Sequence, residues 1–188
     1  GGGLNGFAGK NGHPQNASNP APAIVDINGK KCFEFDGIGT YINFPAEVIP
    51  ASSAFTLEFE FKPFTLKNQA LLDCHEAYEG TMSVSLTDKH IQCEFRGRLK
   101  PGEPPYYKKT KLTSPAPVKL NQWNRVKLVY DLKHIYLSVN GSKPVVTPWS
   151  RISWWLFNSA NFGGWGKNSD SYFKGQLKYL HVKHYAEQ

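Results

Sequence analysis

The last third of the chain alternates apolar and polar residues with a period of two, the pattern of half-buried β-strands. Val126, Leu128 and Tyr130 fall on one face while Arg125, Lys127 and Val129 fall on the other, and Ile135, Leu137 and Val139 repeat the alternation in the next run. Asp131-Leu132-Lys133 joins the two runs as a short turn. Asn140-Gly141 is a dipeptide that tolerates positive φ at both central positions of a type I′ turn, so two successive hairpins are expected here.

Earlier runs follow the same rule: Phe33-Glu34-Phe35-Asp36-Gly37, Tyr41-Ile42-Asn43-Phe44, and Phe55-Thr56-Leu57-Glu58-Phe59-Glu60-Phe61-Lys62-Pro63. Trp123 opens a strand, Tyr130-Asp131 leads a turn, Leu137-Ser138-Val139-Asn140-Gly141 closes a strand, and Phe173-Lys174-Gly175-Gln176-Leu177 starts a terminal strand that runs through Leu180 and Val182. In this order the motifs resemble a laminin G-like domain of the concanavalin A-like lectin/glucanase superfamily, over residues 31–186. The resemblance implies an all-β fold, an antiparallel β-sandwich of jelly-roll type, and makes Trp123 a core anchor. It assigns no function, because one sandwich hosts lectins, glycanases and adhesion modules alike.

Composition agrees with a single sandwich. The chain has 188 residues, 40% hydrophobic and 14% aromatic, with 17 glycines and 13 prolines, which suits one turn-rich domain rather than two. Residues 1–23 are rich in Gly, Asn, Pro and Ala without a periodic apolar face and read as an irregular lead-in or linker remnant; residues 24–188 read as the sandwich. No apolar run is long enough to span a bilayer and no signal peptide is present in the chain as given. The three cysteines, Cys32, Cys74 and Cys93, are too few for a disulfide scaffold. A meander through Met82-Ser83-Val84-Ser85-Leu86 would hold Cys74 and Cys93 ~10 Å apart, so all three are expected as unpaired thiols. The sequons at Asn16 and Asn140 are read as chance occurrences, Asn140 being needed in its turn.

The net charge of +7 is concentrated in one stretch. Arg96, Arg98, Lys100, Lys108, Lys109 and Lys111 surround Gly102-Glu103-Pro104-Pro105-Tyr106-Tyr107, a hairpin or loop suited to acidic polymers. Arginines there would fork onto carboxylate or sulfate and tyrosines would stack on sugar faces. The competing reading is a solvated loop whose charge guards an edge strand against aggregation. No nucleic-acid motif accompanies the charge. Flat aromatic surfaces suited to pyranose rings are offered by Trp149, Trp154, Trp155 and Trp165. Trp154 and Trp155, adjacent in one run, must face opposite sides of a sheet. Trp165 sits in Gly163-Gly164-Trp165-Gly166 with Asn161, Asn168 and Asp170 nearby, either as a sugar platform or as a plug for its loop.

Some members of the resembled superfamily bind calcium at the sandwich rim near the Phe-Asp-Gly turn, with a carboxylate from the last strand. That place is taken here as Lys178, which has no lone pair to offer a hard cation, so Asp36 is left as a partial Ca2+ site. Retaining glycanases need two carboxylates about 5 Å apart. Glu34-Phe35-Asp36 is followed by Gly39 and Thr40 where the next carboxylate would stand, and Glu58 with Glu60 is read as the solvent face of a strand whose Phe55, Leu57, Phe59 and Phe61 are core. Jelly-roll polysaccharide lyases are suggested by Tyr172-Phe173-Lys174-Gly175 alone, without a partner Arg-x-Glu-x-Arg run. No catalytic residue is assigned and no cofactor beyond Ca2+ is expected. The reading that results is a non-catalytic carbohydrate-binding or adhesion module, an accessory domain of a larger secreted or periplasmic protein. Its partner is a glycan, acidic if the 96–111 segment is the site, with no nucleic acid and no membrane insertion. A protein-interaction module is the alternative, and a lyase or glycoside hydrolase an outlying one.

Overall fold

The computed structural model describes residues 21–44, 48–49, 53–75, 80–98, 107–149, 159–164 and 171–187. Among them thirteen strands form two antiparallel sheets. The seven-stranded sheet contains β1 (Ala23–Ile27), β2 (Lys30–Asp36), β4 (Phe55–Pro63), β9 (Asn124–Tyr130), β10 (His134–Val139), β11 (Val145–Pro148) and β13 (Lys174–Lys183), in the order β1-β2-β13-β4-β9-β10-β11. The six-stranded sheet contains β3 (Ile42–Phe44), β5 (Gln69–His75), β6 (Gly80–Thr87), β7 (His90–Arg98), β8 (Tyr107–Thr113) and β12 (Ser159–Phe162), in the order β3-β12-β5-β6-β7-β8. Among the described residues no helix is long and apolar enough to cross a membrane.

Period-two alternation produces the layers. In β4, Phe55, Leu57, Phe59 and Phe61 are all 0% exposed, while Glu58, Glu60 and Lys62 between them are half-buried on the opposite face. Val126, Leu128 and Tyr130 of β9 and Ile135, Leu137 and Val139 of β10 are buried in the same core. The final strand keeps its apolar face through a bulge: Leu177 pairs Phe61 and Tyr179 pairs Glu60, which leaves Lys178 as the extra residue. The spacing Leu177, Leu180, Val182 is the imprint of that bulge, because one inserted residue lengthens one step of the alternation from two to three.

Turn chemistry sets the registers. Asn140 and Gly141 both have positive φ (54° and 75°), and Ser142 N donates to Val139 O at 3.0 Å, closing the expected turn. The Asn140 side chain is committed there, since its Oδ1 accepts from Arg125 N and its Nδ2 donates to Asn124 Oδ1. Asn28-Gly29 and Asp88-Lys89 make two-residue connections of the same kind between β1 and β2 and between β6 and β7.

The core is joined across the sheets by aromatic rings. Phe162 of β12 lies 5.6 Å from Phe35, 5.4 Å from Phe59 and 5.9 Å from Phe173, centroid to centroid. Trp149 is buried against Phe95 at 6.2 Å. Cys74 and Cys93, both fully buried, sit on β5 and β7 with β6 between them, Cys74 opposite Met82 and Cys93 opposite Val84. All three cysteines are free, and burial pushes each thiol above its ordinary range. The lead-in expected for residues 1–23 lies almost wholly outside the described residues, and the first strand begins at Ala23.

Phe162→Ala should cost about 3–5 kcal/mol of unfolding free energy in chemical denaturation, since it empties a ring site that three other aromatics line. Ile24→Ala, at an exposed position (65%), should stay within about 0.5 kcal/mol of the parent. A Phe162→Ala protein as stable as the Ile24→Ala protein would show that the sheets are held by something else.

Candidate functional site

The basic stretch found in the sequence folds as the last hairpin of the six-stranded sheet, with β8 on its edge. Arg96 stands directly opposite Lys109 and Glu94 directly opposite Lys111. Ile91, Cys93 and Phe95 are core, so alternation turns Glu94 and Arg96 to solvent, and Lys109 and Lys111 are exposed beside them. Glu94 is the carboxylate of this group of four and takes Lys109 Nζ at 2.9 Å. With three cations to one carboxylate, the group carries net positive charge. Like charges placed directly across a ladder are destabilising, and the Lys109 side of the Arg96–Lys109 pair is offset by Glu94. Arg98 lies opposite Tyr107 and Lys108 opposite Gly97 on the same two strands. Lys100 and Tyr106 lie outside the described residues, as do Trp154, Trp155 and Trp165. Thr110 Oγ1 of β8 meets Thr147 Oγ1 of β11 at 3.4 Å, so this hairpin also closes one side of the sandwich against the other sheet.

A polar row continues across the same face. Asn43, Asn161, Asp73, Ser83, Glu94 and Lys111 are successive register partners on six neighbouring strands. Asn43 Nδ2 donates to Asn161 Oδ1 at 2.7 Å. Asn161 is only 2% exposed although it points away from the core residues Ala160 and Phe162, Asn43, Asp73, Ser83 and Glu94 are half-buried, and Lys111 at the cationic end is exposed.

Asp36 is occupied in its own turn. Its Oδ1 accepts from Ile38 N (2.8 Å), Gly39 N (3.1 Å), Thr40 N (3.2 Å) and Thr40 Oγ1 (2.9 Å). Partial burial opposes its ionisation, yet these donors outweigh the burial and hold the carboxyl below the ordinary aspartate value. The residue of the last strand that pairs with Asp36 is Lys174, not Lys178. Lys178 lies four residues further along, ~13 Å at strand rise, with Nζ 3.0 Å from both oxygens of Glu60 and 5.3 Å from the centre of the Trp123 ring. Trp123 likewise is half-buried on this solvent side, beside Cys32 and Lys178, rather than anchoring the core. Among the described residues no group of three or more His, Cys, Asp or Glu is placed to hold a metal ion.

The carboxylates of the seven-stranded sheet are tied into pairs on its solvent face. Glu58 Oε2 accepts from Arg125 and Glu58 Oε1 from Tyr179 Oη at 3.0 Å, while Glu34 Oε2 accepts from Gln176 Nε2 at 2.6 Å. Burial, then the bond to Glu58, pushes the Tyr179 phenol up to about 12. Sequence reading placed no site on β9 or β10, whose solvent face carries Tyr136 between Val129 and Val146. The available signal was an aromatic at an outward position of an alternating strand.

Two antiparallel sheets enclosing one core, with polar outer faces, define a lectin-like jelly-roll sandwich. A family model of the concanavalin A-like lectin/glucanases superfamily, in its laminin G form, matches residues 36–186, and the chain belongs to that superfamily. No curated protein matches it by sequence. Among solved structures it is similar to domains LG4-5 of the mouse laminin α1 chain (TM-score 0.67, 14% identity), covering 90% of this chain and 45% of that one. It is similar also to domain 4 of AbnA, an extracellular arabinanase from Geobacillus stearothermophilus solved with arabinotriose (TM-score 0.67, 15% identity, 89% of this chain and 77% of that one). The CBM40 of a Ruminococcus gnavus sialidase, bound to α2,3-sialyllactose, shares the fold at TM-score 0.55 and 18% identity, over 73% and 78% of the two chains. At these identities the likeness is one of fold.

The lowered Asp36 pKa has a defined consequence for pH. An ionised Asp36 is favoured by folding, so its contribution is fully present above the ordinary value of 3.8 and is lost as pH falls through the lower folded value. Asp36→Ala should therefore lower the melting temperature by several degrees at neutral pH, through the loss of about 1–3 kcal/mol of turn hydrogen bonding. The gap between variant and parent should narrow below pH 3.8. A gap that is constant down to pH 2 would contradict this role for the carboxylate.

Proposed function

We propose that this chain is a non-catalytic binding module for acidic glycans, acting outside the cytoplasm as part of a larger protein. The observation that carries the reading is the Arg96–Lys109 cross-strand pair with Lys111 beside it and Glu94 as the acid among these four. Forked guanidinium contacts and a neighbouring ammonium match sulfate and carboxylate groups spaced along a polymer. Superfamily membership supports a binding module, and fold neighbours solved with arabinotriose and with sialyllactose support saccharide as its ligand class.

Retention on a heparin column tests it. Arg96→Ser with Lys109→Ser should weaken binding about 10-fold, near 0.7 kcal/mol for each exposed charge removed, and elute at lower salt. Lys30→Ser with Lys31→Ser, which removes the same charge from exposed positions on β2, should elute like the parent. Equal shifts for the two double variants would reduce the effect to net charge and reject this surface as the site.

A further inference from the structure

Asn-Gly occurs twice among the described residues, and each copy forms a two-residue turn at the end of a strand. Asn28 and Asn140 have φ 55° and 54°, and the glycines that follow have 78° and 75°, so the two turns share one backbone form. Two further copies, at Asn5 and Asn11, lie outside the described residues. The dipeptide carries a reaction of its own. With no side chain on the glycine, its backbone nitrogen can approach Cγ of the preceding amide and close a five-membered ring. Two things govern that step: how firmly the asparagine side chain is held, and whether a base stands on the proton of the glycine nitrogen.

The two turns differ on both counts. Asn140 is held, since its Oδ1 accepts from Arg125 N at 2.9 Å and its Nδ2 donates to Oδ1 of Asn124 at 3.0 Å, and Asn124 is itself 0% exposed. Asn28 is exposed, and its side chain has no hydrogen-bond partner among the described residues. The strands behind the turns differ in the same sense. β10 lies between β9 and β11, whereas β1 is an edge strand of five residues with β2 as its neighbour. Short edge elements open first in local fluctuations, which gives the Asn28 turn the freedom that ring closure needs.

The base is Asp26. Its Oδ1 accepts the Gly29 N–H at 2.8 Å, inside the ~2.6–3.2 Å reach of a general base. The corresponding residue three positions ahead of Gly141 is Ser138, which has no carboxylate. From this geometry we infer that Asn28 is a self-modification site that deamidates with Asp26 as its base. Asp26 takes the proton of Gly29 N, that nitrogen bonds to Cγ of Asn28, and the Cγ–Nδ2 bond breaks. The proton leaves with Nδ2 as ammonia, and a succinimide remains. Water then opens one of the two ring carbonyls to give aspartate or isoaspartate. Water is the one co-reactant, and nothing is oxidised or reduced. Either product sets a carboxylate next to Lys30, and the isoaspartyl form adds one main-chain atom to a two-residue turn, which disturbs the Ile27–Lys30 closing pair of the β1–β2 hairpin.

Site-resolved peptide mapping by mass spectrometry, after incubation of the whole chain at neutral pH in oxygen-18-labelled water, tests the inference. Asn28 should convert to a labelled mixture of aspartate and isoaspartate about 10-fold faster than Asn140, the two side-chain hydrogen bonds of Asn140 being enough for a factor of that size. Asp26→Asn keeps an oxygen for Gly29 N but cannot take its proton, so it should slow Asn28 by about 10-fold or more and leave Asn140 unchanged. In concentrated urea, where neither turn persists, the rates at the two sites should draw together. An Asn28 as long-lived as Asn140 in the folded protein, a gap that urea leaves intact, or parental conversion of Asn28 in the Asp26→Asn protein would overturn the inference.

Discussion

The packing of Phe162 between Phe35, Phe59 and Phe173 is the contact on which the two-sheet arrangement depends. It joins a strand of the six-stranded sheet to two strands of the seven-stranded sheet and to the approach of β13. The backbone yields to it: Gly163, next in the chain, has φ 98°, and a Cβ there would lie 2.6 Å from the Phe35 ring. The same glycine donates to Leu71 O and accepts from Phe173 N, so β5, β12 and the approach to β13 are tied at one point. Phe55, Leu57 and Phe61 extend the apolar layer along β4, which leaves the outward positions of that strand to polar residues.

Those outward positions divide by sheet. On the seven-stranded sheet opposite charges are paired, and most of the face is electrically quiet up to the Val129–Tyr136–Val146 row. On the six-stranded sheet the hairpin of β7 and β8 sets cation against cation. Exposed ion pairs contribute little to stability, so neither pattern is needed to hold the fold. What differs is the charge each face offers a partner: a polyanion would be drawn to the cations at the β8 edge. Thr110 and Thr147 join the two sheets along that side.

Much of this fold was legible in the chain because a period of two says which residues turn inward whatever their neighbours are. The cores of β4, β9 and β10, the Asn140-Gly141 turn, and the separation of Cys74 from Cys93 across β6 were all readable that way. Pairing partners were not. Only the pairing of β13 with β2, ahead of the bulge at Lys178, shows that Lys174 is the strand residue beside Asp36. Trp123 followed the resembled pattern in sequence but meets Lys178 on the solvent side. The neighbours of Tyr136, Val129 and Val146, could not be read either, because only the sheet order places them beside it. The basic hairpin was found because its charges are close together in sequence, and local density survives any topology.

The central claim is that anionic saccharide is recognised by the solvent face at β7 and β8. Amide chemical-shift mapping with a sulfated oligosaccharide of defined length addresses it most directly. The account expects the largest changes at Glu94, Arg96, Lys109 and Lys111, fading as salt is raised, with the amides of Val129 and Tyr136 unmoved. Changes centred on another surface, or a response at β7 and β8 that salt leaves intact, would contradict it.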